Sequence, residues 1–438
     1  MSVDQQLLNA LTVLWNIPPP GPKNILSIAE FTALNELCTQ RYSDGKTTMG
    51  GTFALGRALR SLGLPCWQAP NTNCQSLDLQ TVAGRLVEAY SRKTVIRRHI
   101  CPLDLAANLP SVSFGNVRIE NFTKEGLEGV FDSRKLALWY PTLPFEADKL
   151  AQFNWLVVEE KITVHLDKGM RTFPFFSDES DINRGDIEPH VGRVPKAVED
   201  ALFFILLLPW EQWEASESID WRGFRMPWVY TQDDDLFVLP SPPPRPESLS
   251  FEPAIYEDEN GEEIETERPI TLWLAESEIT EIKRLTHEAW EELRNARATE
   301  LFETPVVHFL VRAFLANGID EFMAHLTVIE AAFGIHGKPK SNLPKKVGLK
   351  PSEYVAFRLS EALGEDVTRD YGELFDLRSR FVHGRAGLEP ISLQKRILAR
   401  RLARRASCSL VFLALKSSQK REEILMDLLS NGIKKFHS

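Results

Sequence analysis

The 438-residue chain contains 43% hydrophobic and 26% charged residues, ordinary globular values that allow two or three domains with a sizeable core. Its formal net charge of −10 argues against a protein that coats nucleic acid along its whole surface, but not against a local basic site. The five cysteines include no CxxC pair, which argues against a disulfide framework or a zinc knuckle and favours a reducing cytoplasm.

Residues 1–99 are predicted to be mostly helical. Met1 to Leu14 lacks the basic start and the cleavage site of a signal peptide, so we expect a cytoplasmic location. The proline-rich run Pro18 to Pro22 ends a first short helix. Helix-like apolar spacing predicts further helices over Ile28 to Arg41, Thr52 to Leu62 and Leu79 to Tyr90, followed by a basic patch at 92–99.

Residues 100–240 are predicted to form a β-rich or α+β domain. One helix is expected from Pro195 to Leu208, and its apolar run is too short to cross a membrane, which takes about 20 residues. We therefore expect no membrane contact. Segments rich in β-branched and aromatic residues predict strands over Val117 to Ile119, Lys135 to Tyr140, Trp155 to His165 and Val229 to Leu239.

Residues 241–269 are predicted to be a proline-rich and acidic linker. The run Pro240 to Pro246 is too rich in proline for a helix or a central strand, and Tyr256 to Arg268 is strongly acidic. As an alternative, Asn260-Gly261 would turn a short exposed hairpin.

Residues 270–438 are predicted to form an all-α bundle. The fold class is therefore α+β and multidomain, with a mixed N-terminal region, a β-rich middle and this helical domain. The predicted helices are Glu276 to Ala298, Thr304 to Asn317, Ile319 to Phe333, Pro351 to Leu363, Val367 to His383, Ser392 to Leu415 and Lys420 to Leu429.

One of these helices combines a core face with a group of residues suited to chemistry. Leu374, Leu377 and Phe381 form its apolar face. The opposite face carries Asp376, Ser379, Arg380 and His383, and Gly384 is a signal for the helix end. Periodicity alone also fits a surface helix with an Asp376–Arg380 ion pair and a histidine favoured by the helix dipole.

The same segment resembles the Arg-x4-His motif of HEPN ribonucleases, through Arg378, His383 and Gly384. The residues of this segment, Leu-Phe-Asp-Leu-Arg-Ser-Arg-Phe-Val-His-Gly, are similar to the corresponding motif in the ApeA-like HEPN branch of bacterial defence proteins. The segments His325 to Gly334, which contains Glu330, and Ser352 to Ser360 resemble the preceding helices of that branch. The resemblance covers roughly Ile319 to Leu415, and a looser one to a sensor-like region lies within 101–117.

The resemblance implies an RNA endonuclease that needs no metal or other cofactor. His383 would act as general base or acid, and Arg378 would bind the phosphate with Arg380 as a second contact. Asp376, Ser379 and Glu330 would support the site. The products would be a 2′,3′-cyclic phosphate and a 5′-OH. Single-stranded loops are the expected RNA targets, and family analogy includes the anticodon loops of transfer RNA among them.

The resemblance also implies partners and a biological setting. HEPN domains pair through their helices, so we expect a homodimer. The protein would be a defence effector or toxin of the abortive-infection type, restrained by an N-terminal sensor or regulatory region that a phage-derived or other ligand activates. The alternative function is a HEPN-like dimerisation or RNA-binding module without catalysis.

Helix geometry places the two motif residues poorly for joint action. Five residues separate Arg378 from His383, which is about 140° around an ideal helix, and Arg378 projects toward the apolar side near Phe375. Two solutions remain open. The helix is distorted at His383, or the working site is shared across a dimer.

A basic segment follows the motif and is predicted to contact RNA. Arg396, Arg400 and Arg404 fall in one i, i+4, i+8 row that can follow a phosphate backbone, and Arg385 and Lys395 lie nearby. The alternative is a solvated face, or pairing of the arginines with the acidic linker.

Overall fold

The computed structural model describes residues 4–19, 24–43, 45, 47–68, 77–173, 194–213, 220–257, 261, 263–335, 349–384 and 390–436. It is a mixed α/β protein with a β-rich middle and a helical C-terminal part. Within these residues, no helix is long and apolar enough to cross a bilayer.

The main helices are given in chain order. They are α1 (Gln5–Trp15), α2 (Ala29–Tyr42), α3 (Met49–Leu62), α4 (Leu79–Ser91), α5 (Lys124–Phe131), α6 (Ser133–Trp139), α7 (Ala147–Leu150), α8 (Lys196–Ile205), α9 (Glu276–Ile282), α10 (His287–Arg297), α11 (Val306–Leu315), α12 (Gly318–Phe333), α13 (Pro351–Leu363), α14 (Thr368–Val382), α15 (Leu393–Lys416) and α16 (Arg421–Phe436).

The strands are mostly short. They are β1 (Thr94–Leu103), β2 (Leu105–Ala106), β3 (Val112–Phe114), β4 (Val117–Asn121), β5 (Asn154–Thr163), β6 (Leu166–Asp167), β7 (Met170–Arg171), β8 (Tyr230–Asp233), β9 (Phe251–Glu257), β10 (Glu263–Pro269) and β11 (Thr271–Leu272).

The chain divides into two compact units, each assembled from separate segments. The first unit comprises Met1–Cys101, Asn121–Ile187 and Trp228–Pro269, and the second comprises Pro102–Glu120, Glu188–Pro227 and Ile270–Ser438. The sequence instead suggested consecutive domains divided at 99, 240 and 269. The two divisions differ because local composition carries no information about which distant segments pack together.

The first unit has a helical part that matches the sequence prediction closely. Leu7, Leu11, Phe31 and Leu34 are fully buried in its core, together with residues of α3 and α4. The α1 helix begins after Asp4, whose carboxylate accepts the backbone N–H of Gln6 and satisfies one of the free N–H groups at the helix start. The predicted helices in this region are confirmed.

The β-part of the first unit centres on β1, with β5 and β8 as its neighbours. From the sequence, part of this strand is predicted only as a basic patch. Its charges are paired with acidic residues on the flanking strands: Arg97 with Asp233 at 2.7 Å and Arg98 with Glu159 at 2.8 Å. Cross-strand pairing thus lets a highly charged segment form a central strand.

Two predictions for the first unit need correction. The strand predicted over Lys135 to Tyr140 is wrong, because Lys135 to Trp139 belong to α6 and Tyr140 follows its end. Asp132 accepts the backbone N–H of Lys135 and starts this helix. The segment predicted as a linker contains the alternative structure, a hairpin: β9 and β10 pair antiparallel, with Phe251 opposite Pro269. Gly261 lies near its turn with φ of +79°, and Asn260 lies outside the described residues.

The second unit is a helical bundle that also contains short strands. Its core includes Phe322, Leu326, Ile329 and Phe333, all fully buried on α12. The helix predicted over Glu276 to Ala298 is divided into α9 and α10. Its division falls at Thr286, whose hydroxyl accepts a backbone N–H and starts α10. The other C-terminal helices lie within a few residues of their predicted ends, except that α16 continues to Phe436.

Candidate active site

The candidate motif lies on α14 and at its C-terminal end. Tyr371 and Leu374 are fully buried and hold this helix against the bundle. The helix ends at Val382, and the backbone N–H of His383 donates to the carbonyl of Ser379 at 3.0 Å. Gly384 has φ of +64°, a conformation that glycine adopts without strain. The predicted helix end is therefore confirmed.

The outer face of α14 carries most of the predicted polar residues. His383, Asp376 and Arg380 are exposed, and Ser379 is half-buried. Asp376 and Arg380, both described, form no ion pair with each other, so the simple surface-helix interpretation lacks its expected contact. His383 lies just beyond the last helical residue, where an imidazole can approach a bound molecule from solvent.

Arg378 points in a different direction from His383. Its Nη1 donates to Oε1 of Glu330 on α12, and its guanidinium lies 5.9 Å from the ring of Phe375. The prediction from helix geometry that Arg378 projects toward Phe375 is thus confirmed. Burial raises the pKa of the Glu330 carboxyl, while the charge of Arg378 opposes that rise.

A cavity of about 900 Å³ adjoins Arg378. Glu330 of α12, Tyr354 and Arg358 of α13, and Tyr371 and Arg378 of α14 are among its lining residues, and His383 is not. Within one chain, therefore, the two motif residues do not face the same cavity. Arg378 faces the interior of the bundle, whereas His383 faces solvent at the helix end.

Two arginines that the sequence analysis did not single out hold the C-terminal end of α12 beside this cavity. Arg421 donates to the carbonyls of Ala331, Ala332 and Gly334, at 2.8, 3.0 and 3.1 Å. Arg358 donates to the carbonyl of Phe333, which lies between Ala332 and Gly334 in the chain, at 2.9 Å. Together they satisfy carbonyl groups that the helix itself leaves without partners. The positive charge of an arginine is also favourable at the C-terminal end of a helix, which is the negative end of its dipole.

The predicted basic row on α15 is turned into the bundle. Arg400 is only 9% exposed and donates to Glu321, to Asp220 at 2.9 Å and to the carbonyl of Trp221 at 2.8 Å. Arg396 pairs with Asp220 at 2.7 Å. Arg404 pairs with Glu211 at 2.8 Å. This row is an internal ion-pair network, not an open basic face, and its acidic partners do not come from the predicted linker.

The partners of the row lie far away in sequence, so no local pattern predicts them. Burial alone would raise the pKa of Asp220, but hydrogen bonding to Arg400 and the charges around it bring that pKa down to about 2. Glu321 is 1% exposed and also accepts from Arg222 at 2.9 Å. Asp220 and Glu321 are thus each contacted by Arg222, Arg396 and Arg400.

The remaining predicted RNA contacts lie at the surface or outside the described residues. Lys395 pairs with Glu373 of α14, and its side chain is 35% exposed. Arg385 lies outside the described residues. In the part of the chain that the structure describes, no group of three or more histidine, cysteine, aspartate or glutamate residues is arranged to hold a metal ion.

No protein-family model, characterised protein or solved structure matches this chain. The resemblance to HEPN ribonucleases therefore remains a prediction based on the motif and its neighbouring helices.

Proposed function

We propose that this protein is a HEPN-type endoribonuclease whose motif consists of Arg378 and His383. The observation that carries the proposal is the position of His383, exposed just past the end of the helix that bears Arg378. An imidazole can exchange a proton near neutral pH, and a guanidinium stays charged and can bind two phosphate oxygens. Proton transfer and neutralisation of phosphate charge are the two functions that cleavage of an RNA backbone without a metal uses.

The proposed reaction is an internal displacement at phosphorus. A general base removes the proton of the ribose 2′-OH, and the 2′-oxygen forms a bond to the adjacent phosphorus. The bond from phosphorus to the 5′-oxygen breaks, and a general acid protonates that oxygen. The products are a 2′,3′-cyclic phosphate and a 5′-OH. Arg378 would neutralise charge on the phosphate oxygens during the displacement.

A homodimer would supply both proton-transfer groups and solve the geometric difficulty of the motif. In one chain Arg378 binds Glu330 and faces away from His383. Two-fold pairing would bring the motif of a second copy to the same cleft, so that one His383 serves as base and the other as acid. Arg380, exposed beside His383, would be a further phosphate contact. The first unit would restrain this activity, as expected of a defence effector or toxin.

The direct test is incubation of total RNA with the purified chain in the presence of excess EDTA. We expect cleavage to continue, because the proposed steps use only side chains, and the new ends to be a 2′,3′-cyclic phosphate and a 5′-OH. End analysis with a kinase and a cyclic-phosphate ligase separates these ends from those of a metal-dependent nuclease. A 3′-OH with a 5′-phosphate, or cleavage that stops with EDTA, would contradict the proposal.

Co-expression of two inactive variants tests the shared site. Arg378→Ala and His383→Ala should each lack activity as homodimers, but their mixed dimer would retain one Arg378 and one His383 on different chains. The mixed dimer keeps one of the two proton-transfer groups, so we expect its cleavage to exceed that of either variant homodimer and to stay well below that of the wild type; two different affinity tags select it for purification. A mixed dimer no more active than the two variant homodimers, alongside an active wild-type dimer purified in the same way, would contradict a site shared between the chains.

The Arg378–Glu330 ion pair favours a second candidate function, an RNA-binding or dimerisation module without catalysis. A guanidinium already bound to a carboxylate has less capacity for a phosphate. Under this alternative the chain binds RNA or dimerises, but the ends of total RNA do not change under any condition that leaves the protein folded.

A further inference from the structure

The cavity beside α12, α13 and α14 has the size and the walls of a small-molecule site. Its volume of about 900 Å³ lies within the range of small-ligand pockets in proteins. Most of its wall is apolar, and Tyr354, Val355 and Phe375 contribute to it from two helices. A ligand that fills this space would therefore need an apolar body.

One part of the lining differs, because it carries hydrogen-bond donors without acceptors. The hydroxyl of Tyr371 is fully buried and finds no partner among the described residues. The same holds for the buried Nε–H of Arg378, judged against the same residues. Both lie on one side of α14, with the ring of Phe375 at 6.1 Å from that of Tyr371. Buried donors of this kind call for an acceptor.

The charges of the lining indicate an anionic acceptor. The charged side chains of the described lining are those of Arg358, Arg378, Arg421 and Glu330, so three guanidinium groups accompany one carboxylate. Burial and the charge of Arg421 lower the pKa of Arg358 to about 10, as expected where positive charge is poorly compensated. Burial raises the pKa of Glu330. Glu330 is the only carboxylate in this described lining, against three guanidinium groups.

We propose that this cavity binds a small amphipathic organic acid. Its carboxylate would accept from the hydroxyl of Tyr371 and from Arg378, and its apolar body would lie along Tyr354, Val355 and Phe375. A carboxylate bound at the free Nε–H of Arg378 shares the guanidinium with Glu330, so the two carboxylates compete for its positive charge. The inference goes beyond the proposed RNA cleavage and does not depend on it, since binding is measured without RNA.

Calorimetric titration of the full chain with decanoate tests the proposal. Decanol serves as the uncharged analogue, acetate as the head group alone, and adenosine monophosphate as a nucleotide. We expect decanoate to bind at least about tenfold more tightly than each of the others, because only decanoate offers both the charge and the apolar chain. No binding of decanoate, equal binding of decanol, or tighter binding of the nucleotide would overturn the assignment.

Two substitutions with opposite effects locate the ligand. Tyr371→Phe should weaken decanoate binding about tenfold, because it removes a hydrogen bond to a charged group. Glu330→Gln should strengthen it, because it removes the competing carboxylate. Tyr42→Phe in the first unit is the matched control and should change neither binding nor stability.

The stability of Tyr371→Phe without ligand separates a binding role from a structural one. Removal of a buried hydroxyl that lacks a partner should leave the unfolding temperature unchanged or raise it. A lower unfolding temperature combined with unchanged decanoate affinity would assign the hydroxyl to the fold and overturn the proposal.

Discussion

Replacement of His383 by alanine should reduce RNA cleavage by about 10²–10⁴-fold, the usual contribution of a positioned acid or base. The effect on folding should be close to zero. The side chain is exposed and lies past the last helical residue, and the backbone hydrogen bond from His383 to Ser379 survives the change. Initial rates on a single-stranded RNA, together with thermal unfolding, measure the two effects separately.

The control for this variant is His165→Ala, another exposed histidine, in the first unit. It should keep wild-type cleavage, and its unfolding temperature should match that of His383→Ala. Unchanged cleavage by His383→Ala would remove the histidine from the mechanism. A large loss of stability in His383→Ala would instead show that its side chain supports the fold.

The sequence predicted α14 and its end well, because the relevant signals are local. The apolar spacing, the polar outer face and Gly384 all act within a few residues of one another. The inward direction of Arg378 also followed from helix geometry. Its partner Glu330 lies 48 residues away on α12, and no periodicity connects the two. Only the family resemblance drew attention to that glutamate.

The α15 row shows where local charge misleads. Three arginines at helical spacing have the same pattern whether they face solvent or buried carboxylates, and the carboxylates lie 75 to 193 residues away. One signal was present nevertheless. Ala399, Ala403 and Ser407 lie beside the row and are fully buried, and small residues allow neighbouring segments to approach closely. Arginines next to such a strip are better interpreted as partners of buried acids.

Arg400→Ala should destabilise the second unit by about 3 kcal/mol, the lower end of the cost of breaking a buried ion pair. The reason is the carboxylate that remains. Glu321 is 1% exposed and would lose its contacts with Arg400, although Arg222 at 2.9 Å and Arg396 at 3.3 Å still compensate part of its charge. Denaturant unfolding should give a lower midpoint with an unchanged slope.

The matched control for this variant is Arg405→Ala on the same helix. Arg405 pairs with Glu365, whose side chain is 51% exposed, so its loss should cost at most about 1 kcal/mol. RNA affinity, measured where both variants are fully folded, decides the role of the row. If Arg400 were a phosphate contact, its loss would weaken binding and reduce the salt dependence by about one phosphate. We expect neither change, because its guanidinium is already bound to Glu321, Asp220 and the carbonyl of Trp221.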